Sequence, residues 1–308
     1  MPNPKNQVPE SISTLDQGAI APVLVTGASG NVGRAVVASL SALGVPFVAA
    51  NTDPDRLRKT LGPNVTCVKL DLERPETYDE PLKGIRGLFL LRPPKIANVR
   101  STLNVLVDHA IRAGVNHVTF LSVEGADRQP LVPHHAVERH LLSLDISSTI
   151  LRPGFFAQNL GDAYRRDIAE RRELYVPAGQ GRVAFVDVRD VGEIAARSFV
   201  EPALRRAAFT LTGGKAVTFD EVAEILTKIL GTPCRYRPAS IFGYCGHLRR
   251  QDYPWMQIAV QTILHVGLRY GNAAKVDPTL QRLLGRPPRT MSEYIEDHRS
   301  LWLRDTSA

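Results

Sequence analysis

Residues Val23 to Val37 read VLVTGASGNVGRAVV: an apolar run, then Gly27, Gly30 and Gly33, then a helical pattern. A glycine-rich turn between a strand and a helix lets backbone N–H groups approach a phosphate closely, while the helix start adds its positive end. The spacing is Gly-x-x-Gly-x-x-Gly rather than the commoner Gly-x-Gly-x-x-Gly of dinucleotide sites. In a strand, turn and helix context it predicts dinucleotide binding.

Outward from this turn, short β-rich runs alternate with amphipathic stretches. Val23 to Thr26 is the first strand, and Val32, Val36, Leu40 and Leu43 repeat at helical spacing until Gly44 stops them. PFVAAN, VTCVKLDL, GLFLLRPP, HVTFLS and SSTILRP supply further strands, separated by helical stretches such as DPDRLRKTL and HHAVERHLLSL. Strands alternating with helices imply right-handed crossovers and a parallel sheet. Beyond Arg152, VAFVDVRDVGEIAARSFV reads as a strand running into a helix, AAFTLTG as another strand, and Thr218 with Glu221 as a capping box. From about Pro238 the pattern is mostly helical. The fold class is therefore α/β: a doubly wound parallel Rossmann sheet with a smaller, helix-rich C-terminal substrate lobe. The expected organisation is a flexible extension over 1–20, a core dinucleotide-binding domain over 21–154, and a mixed region over 155–308 that completes the sheet and forms the lobe.

Composition sets limits. The 308 residues are 44% hydrophobic and 22% charged, as in an ordinary globular protein. The net charge of +7 comes from scattered Lys and Arg, so no nucleic-acid partner is expected. Cys67, Cys234 and Cys245 lack metal-type spacing and suit a reducing compartment. The start, MPNPKNQVPESISTLDQG, has no apolar core of the kind a secretory signal needs. WMQIAVQTILHVGL, from Trp255, is too short to span a bilayer, carries Gln257, Gln261 and His265, and reads as a packed helix. A cytoplasmic protein with no membrane partner is the expectation. The oligomeric state is not legible.

VTGASGNVGRAVV, KLDL, FLSVEGAD, VERHLLSLDISSTILRPGFFAQNL, AFVDVRDVGEIAA and FTLTGGKAVTFDEVAEIL together resemble the NmrA-like branch of the atypical short-chain dehydrogenase/reductases, and the resemblance runs on to RPPRTMSEYIEDHRSLW. It implies an NAD(P)-binding Rossmann domain and a small substrate lobe. By the same resemblance, Gly27, Gly30 and Gly33 line the pyrophosphate, with Ser29, Asn31 and Val32 bonding beside them. Asp71 and Leu72 flank the adenine. Leu91, Arg92 and Pro93 run beside the nicotinamide ribose. Pro153, Gly154 and Phe155, after Arg152, help roof the nicotinamide, and Phe156 and Asn159 face the substrate pocket. Ordinary core packing is the competing reading for the two phenylalanines.

Two residue-level readings refine this. After the second strand the chain reads NTDPDRLRK. Asn51 is not acidic, Thr52 stands where many relatives carry an Arg, and Arg56 and Lys59 are in reach of a 2′-phosphate, which favours NADP(H) over NAD(H). The wider superfamily protonates its substrate with a Tyr-x-x-x-Lys pair beside a Ser that ends the fifth strand. Ser122 holds the Ser position, but no Tyr lies between Tyr78 and Tyr164. The region instead reads QPLVPHHAVERHL, which puts forward His134 and His135 as proton donor or ribose anchor. His135 is preferred, since a histidine three residues before the Glu recurs in this branch. The alternative is a solvent-facing pair with Glu138 as a helix-surface charge. No metal site is expected from His134, His135, Glu138 and His140. The leading function is an NAD(P)H-dependent reductase of a small polarised acceptor such as a quinone, enone or imine. The other reading is an NAD(P)-binding redox sensor that regulates a partner protein without turnover.

Overall fold

The structure, a computed structural model, describes residues 21–303. The expected N-terminal extension over 1–20 lies outside the described residues. Contacts divide the chain into two units. One holds the described residues up to Leu151 together with Ala195–Ala208, and the other holds Arg152–Ile194 and the chain from Phe209 onward.

The first unit alternates strand and helix: β1 (Val23–Val25), α1 (Asn31–Ala42), β2 (Phe47–Asn51), α2 (Pro54–Leu61), β3 (Cys67–Lys69), α3 (Asp79–Leu82), β4 (Gly87–Leu91), α4 (Leu103–Arg112), β5 (His117–Leu121), α5 (Pro133–Ser143) and β6 (Ser147–Pro153). After α6 (Arg165–Arg171), β7 (Glu173–Leu174) and α7 (Val188–Arg197), the chain returns to the sheet as β8 (Ala207–Leu211). The sheet order is β3-β2-β1-β4-β5-β6-β8, with parallel pairing from β3 through β6. Strand order reverses at β1, whose neighbours are β2 and β4. In open α/β sheets ligands bind at the carboxyl ends of the strands flanking that reversal. Thr26 fastens this point, because its hydroxyl donates to Phe89 O (3.0 Å) and accepts from Leu91 N (2.9 Å).

The core explains the apolar runs. Leu24, Leu88, Leu90, Val118, Phe120 and Ile150 pack with Leu103, Leu106 and Val107 of α4 and with Val137 and Leu141 of α5. Fully burying each large apolar side chain stabilises the unit by about 1.5–3 kcal/mol relative to leaving it exposed. The third strand is shorter than VTCVKLDL suggests, stopping at Lys69. There the chain turns, with Asp71 Oδ1 accepting the Glu73 N–H at 3.0 Å and Asp71 N donating to Thr77 Oγ1.

The second unit contains α6, β7, α8 (Phe219–Leu230), β9 (Arg235–Tyr236), α9 (Ile241–Arg250), α10 (Trp255–Arg269), α11 (Thr279–Leu284) and α12 (Met291–Asp297). β7 and β9 form a small parallel sheet. The capping box at Thr218 and Glu221 is present, and Thr290 with Glu293 forms a second. No continuous strand forms at VAFVDV. Val183 pairs with Val217 and Val186 with Phe156, so successive residues face different partners and make only isolated bridges. The expectation that α10 is simply packed is corrected too. Ile258, Thr262, His265 and Leu268 are buried, but Trp255, Met256, Ile263 and Leu264 stand 56–76% exposed. A helix apolar all round has more apolar surface than one neighbouring face covers. Among the described residues no helix is long and apolar enough to cross a membrane.

Candidate functional site

The three glycines of the first turn are glycine for different reasons. Gly27 has φ +64°, and a Cβ there would lie 2.9 Å from Leu91 Cδ2. Gly33 sits in the first turn of α1, where a Cβ would come within 2.1 Å of Gly27 O. Both are demanded by the turn itself. Gly30 has an extended backbone (φ −82°, ψ 170°), and a Cβ there would meet only Gly27 O, at an ordinary 3.5 Å. Among the described residues nothing requires it to be bare. Gly30 is also the N-cap of α1, without a side-chain cap and without an acidic residue in the first turn. A pyrophosphate fits this surface, because the helix start offers N–H groups and positive potential and Gly30 leaves room for close approach.

Beside the turn, Asn51 ends β2. Its amide donates to Ser29 Oγ (3.1 Å) and its Oδ1 accepts from Asp53 N and Thr52 Oγ1. Asp53 caps α2 by accepting the Arg56 N–H at 3.0 Å. Arg58 pairs with Asp55, whereas Arg56 and Lys59 are exposed with no ion pair among the described residues. Leu72 is buried, and its carbonyl accepts the Tyr78 hydroxyl at 2.7 Å.

At the end of β4, Leu91 lies against Gly27, and the Arg92 guanidinium gathers the following loop by donating to Pro93 O, Pro94 O and Ile96 O. Arg92 Nε also donates to His134 Nε2 at 3.3 Å. An accepting Nε2 puts the proton of the neutral ring on Nδ1. That Nδ1 is buried and has no hydrogen-bond partner among the described residues. Burial, reinforced by the Arg92 charge, lowers the His134 pKa to about 4, so the ring is neutral at physiological pH. One turn further along α5, Glu138 accepts the Ser122 hydroxyl at 2.5 Å, and both side chains are buried. His135 is half-buried, and its Nδ1 donates to Ala126 O at 2.8 Å. The solvent-facing reading of this helix therefore fails: the α5 face carrying His134 and Glu138 is turned into the protein.

In the second unit, Pro153 is buried and Gly154 N donates to Leu211 O at 2.9 Å. Phe155 is half-buried and meets Phe185 and His265 edge to face, at 5.6 and 5.7 Å between centroids. It packs on the core of that unit. Phe156 bridges Val186, and Asn159 N donates to Phe156 O while its carbonyl accepts from Tyr164 N.

A model described as the NmrA-like family matches residues 21–294. The chain belongs to the NmrA-like family. It is similar to the NAD(P)H azoreductase of Xenophilus azovorans, with 28% identity over 284 residues, covering 90% of this chain and 97% of that one. Among solved structures, the NADPH-dependent quinone oxidoreductase of Escherichia coli complexed with NADPH aligns with a TM-score of 0.78 at 25% identity, covering 89% of this chain and 99% of that one. The Citrobacter sp. triphenylmethane reductase complexed with NADP(H) gives 0.78 at 23% identity over 89% and 99% of the two chains, a likeness of fold.

Two features of this NmrA-like site escape a reading of motifs. One is Glu138 as the buried partner of Ser122, and the other is the Arg92 contact that sets the His134 tautomer. Their signal was present only in part: His134, Val137, Glu138 and Leu141 share one helical face, which turns inward if Val137 and Leu141 do.

Proposed function

We propose that this NmrA-like protein is an NAD(P)H-dependent reductase that passes hydride to a small acceptor already polarised for attack, of the quinone type, without a Tyr-x-x-x-Lys pair. The observation that carries the reading is Gly30, which no contact among the described residues requires to be bare, at the start of α1 and at the reversal of strand order. The names of the azoreductase and the quinone oxidoreductase support the reaction class. The cofactor, when bound, supplies the hydride. NADPH is preferred because Asp53 is engaged in capping α2 and Asn51 is neutral, while Arg56 and Lys59 are uncommitted cations.

The remaining chemistry falls to the chain. The Ser122 hydroxyl is donated to Glu138, so it is not a free acid for a carbonyl oxygen. His135 already spends its Nδ1 on the carbonyl of Ala126. His134 keeps an Nδ1–H that no described residue accepts, and we favour it over His135; because that atom is buried, the ring turns toward the site to steady the acceptor oxygen or a ribose hydroxyl. A neutral imidazole is a weak acid, which suits an acceptor needing little protonic help. The family resemblance supports assigning Pro153–Phe155 to the nicotinamide and Phe156 and Asn159 to the substrate.

The test is a screen of quinone, enone and imine acceptors with NADPH and NADH, following loss of reduced-cofactor absorbance. Oxidation of NADPH by a quinone is expected. Tight cofactor binding with no turnover in any class would overturn the reductase and leave a regulator that binds the dinucleotide.

A further inference from the structure

The second unit has a groove of its own, with a cavity of about 370 Å³. That is the lower part of the range of small-molecule pockets, roughly 300–1,000 Å³. Phe185, Val217 and Met291, all buried, form its floor with Ile225, and Lys215 and Arg289 stand at its polar side. Arg289 is bonded to the fully buried Asp190, and Arg286 bridges Asp190 and Glu193 at 3.0 and 2.6 Å, so two guanidinium groups meet two carboxylates. Lys215 is exposed and has no ion pair among the described residues. The nearby Glu293 carboxylate is held by Thr290 and lies in the field of Arg289, so Lys215 is the ammonium left without an ion pair over the apolar floor.

The floor is joined to the Phe155 loop. Val183 and Val217 exchange both backbone hydrogen bonds, at 2.8 and 3.0 Å. Val186 N donates to Phe155 O, and Ala157 N donates to Val186 O, both at 2.9 Å. Between them the Phe185 ring meets the Phe155 ring edge to face at 5.6 Å. The segment Val183–Val186 thus gives Phe185 to the floor of the groove and backbone support to the loop.

We propose that this groove is a second small-molecule site, for an apolar monocarboxylate of aryl or short alkyl type, and that its occupant steadies the Phe155–Ala157 loop. The carboxylate meets Lys215 and the apolar body covers Phe185, Val217, Ile225 and Met291. The bearing of that loop on turnover rests on the reductase reading, but the site itself does not.

The full chain is titrated with 2-naphthoate and with its neutral counterpart 2-naphthamide, following probe fluorescence anisotropy in the presence of saturating NADPH. The carboxylate is expected to bind about tenfold or more tightly than the amide, and Lys215→Gln is expected to erase that difference, since a charge-assisted contact is lost. Ile225→Trp, which fills the groove, is expected to weaken both probes. Hydrogen exchange at the Val186 and Ala157 amides is expected to slow on naphthoate binding in the wild type and not in Lys215→Gln. Equal affinity for both probes, or undiminished naphthoate affinity in both variants, overturns the site. Binding without slowed exchange overturns the link to the loop. Neither readout uses hydride transfer, so the groove is tested even in a chain that reduces no acceptor.

Discussion

The hydroxyl of Ser122, the residue after β5, donates to Glu138 Oε1, sixteen residues further along the chain, inside the protein. A buried carboxylate is tolerable only while its lone pairs have donors, and a buried hydroxyl only while it has a partner. Glu138→Ala is expected to destabilise the chain by about 1–3 kcal/mol by leaving Ser122 unpaired. Glu138→Gln keeps an acceptor oxygen and is expected to lose less. Denaturant unfolding measures both, and an unchanged midpoint in Glu138→Ala would place the carboxylate in solvent.

Three histidines make stability fall with acid. Burial lowers the pKa of His134, His117 and His265 to about 4 each, with the Arg92 charge adding to it at His134 and the Arg205 charge at His117. In the unfolded chain each titrates near 6.5. Between those values the unfolded state binds more protons, so stability rises with pH across roughly 4 to 6.5 and levels off above. Each contributes up to about 3 kcal/mol over that window. His134→Gln is expected to flatten the slope of unfolding free energy against pH by about one histidine's share, and a slope unchanged from wild type would mean that His134 titrates normally.

How far these residues were legible differs from one to the next. The strand, turn and helix from Val23 to Val37 and the capping box at Thr218 follow from local rules, because each is decided within a few residues. The Ser122–Glu138 pair depends on how α5 lies against β5, which no local pattern encodes. VAFVDV has strand composition, yet Val183 and Val186 pair with segments far apart in sequence, so no ladder extends. The exposed face of α10 is apolar in sequence and reads as core until the structure shows Trp255, Met256, Ile263 and Leu264 outside it.

The cofactor preference has its own variants. Arg56→Ala combined with Lys59→Ala is expected to weaken NADPH about tenfold at moderate salt while leaving NADH nearly unchanged, since both act on a phosphate that NADH lacks. Titration calorimetry with each dinucleotide gives the comparison. Wild-type affinity for NADH equal to or above that for NADPH would reverse the preference.

Replacing His134 separates its two possible tasks. If Nδ1–H steadies the acceptor, His134→Gln lowers the rate at saturating cofactor with cofactor affinity preserved; if it anchors the ribose, cofactor affinity falls first. His135→Gln, which removes only the bond to Ala126 O, is expected to change the rate less. Wild-type rates and affinities in His134→Gln would remove it from the site.

The most direct measurement uses Gly30→Ala. Its new Cβ meets Gly27 O at 3.5 Å, an ordinary contact, whereas in Gly33→Ala the same oxygen lies 2.1 Å away. Gly33→Ala is expected to lower the melting temperature strongly. Gly30→Ala is expected to melt as the wild type does and yet to bind NADPH at least about tenfold more weakly, because the methyl group stands where the pyrophosphate approaches. A Gly30→Ala protein with wild-type stability and wild-type NADPH affinity would contradict dinucleotide binding at this turn.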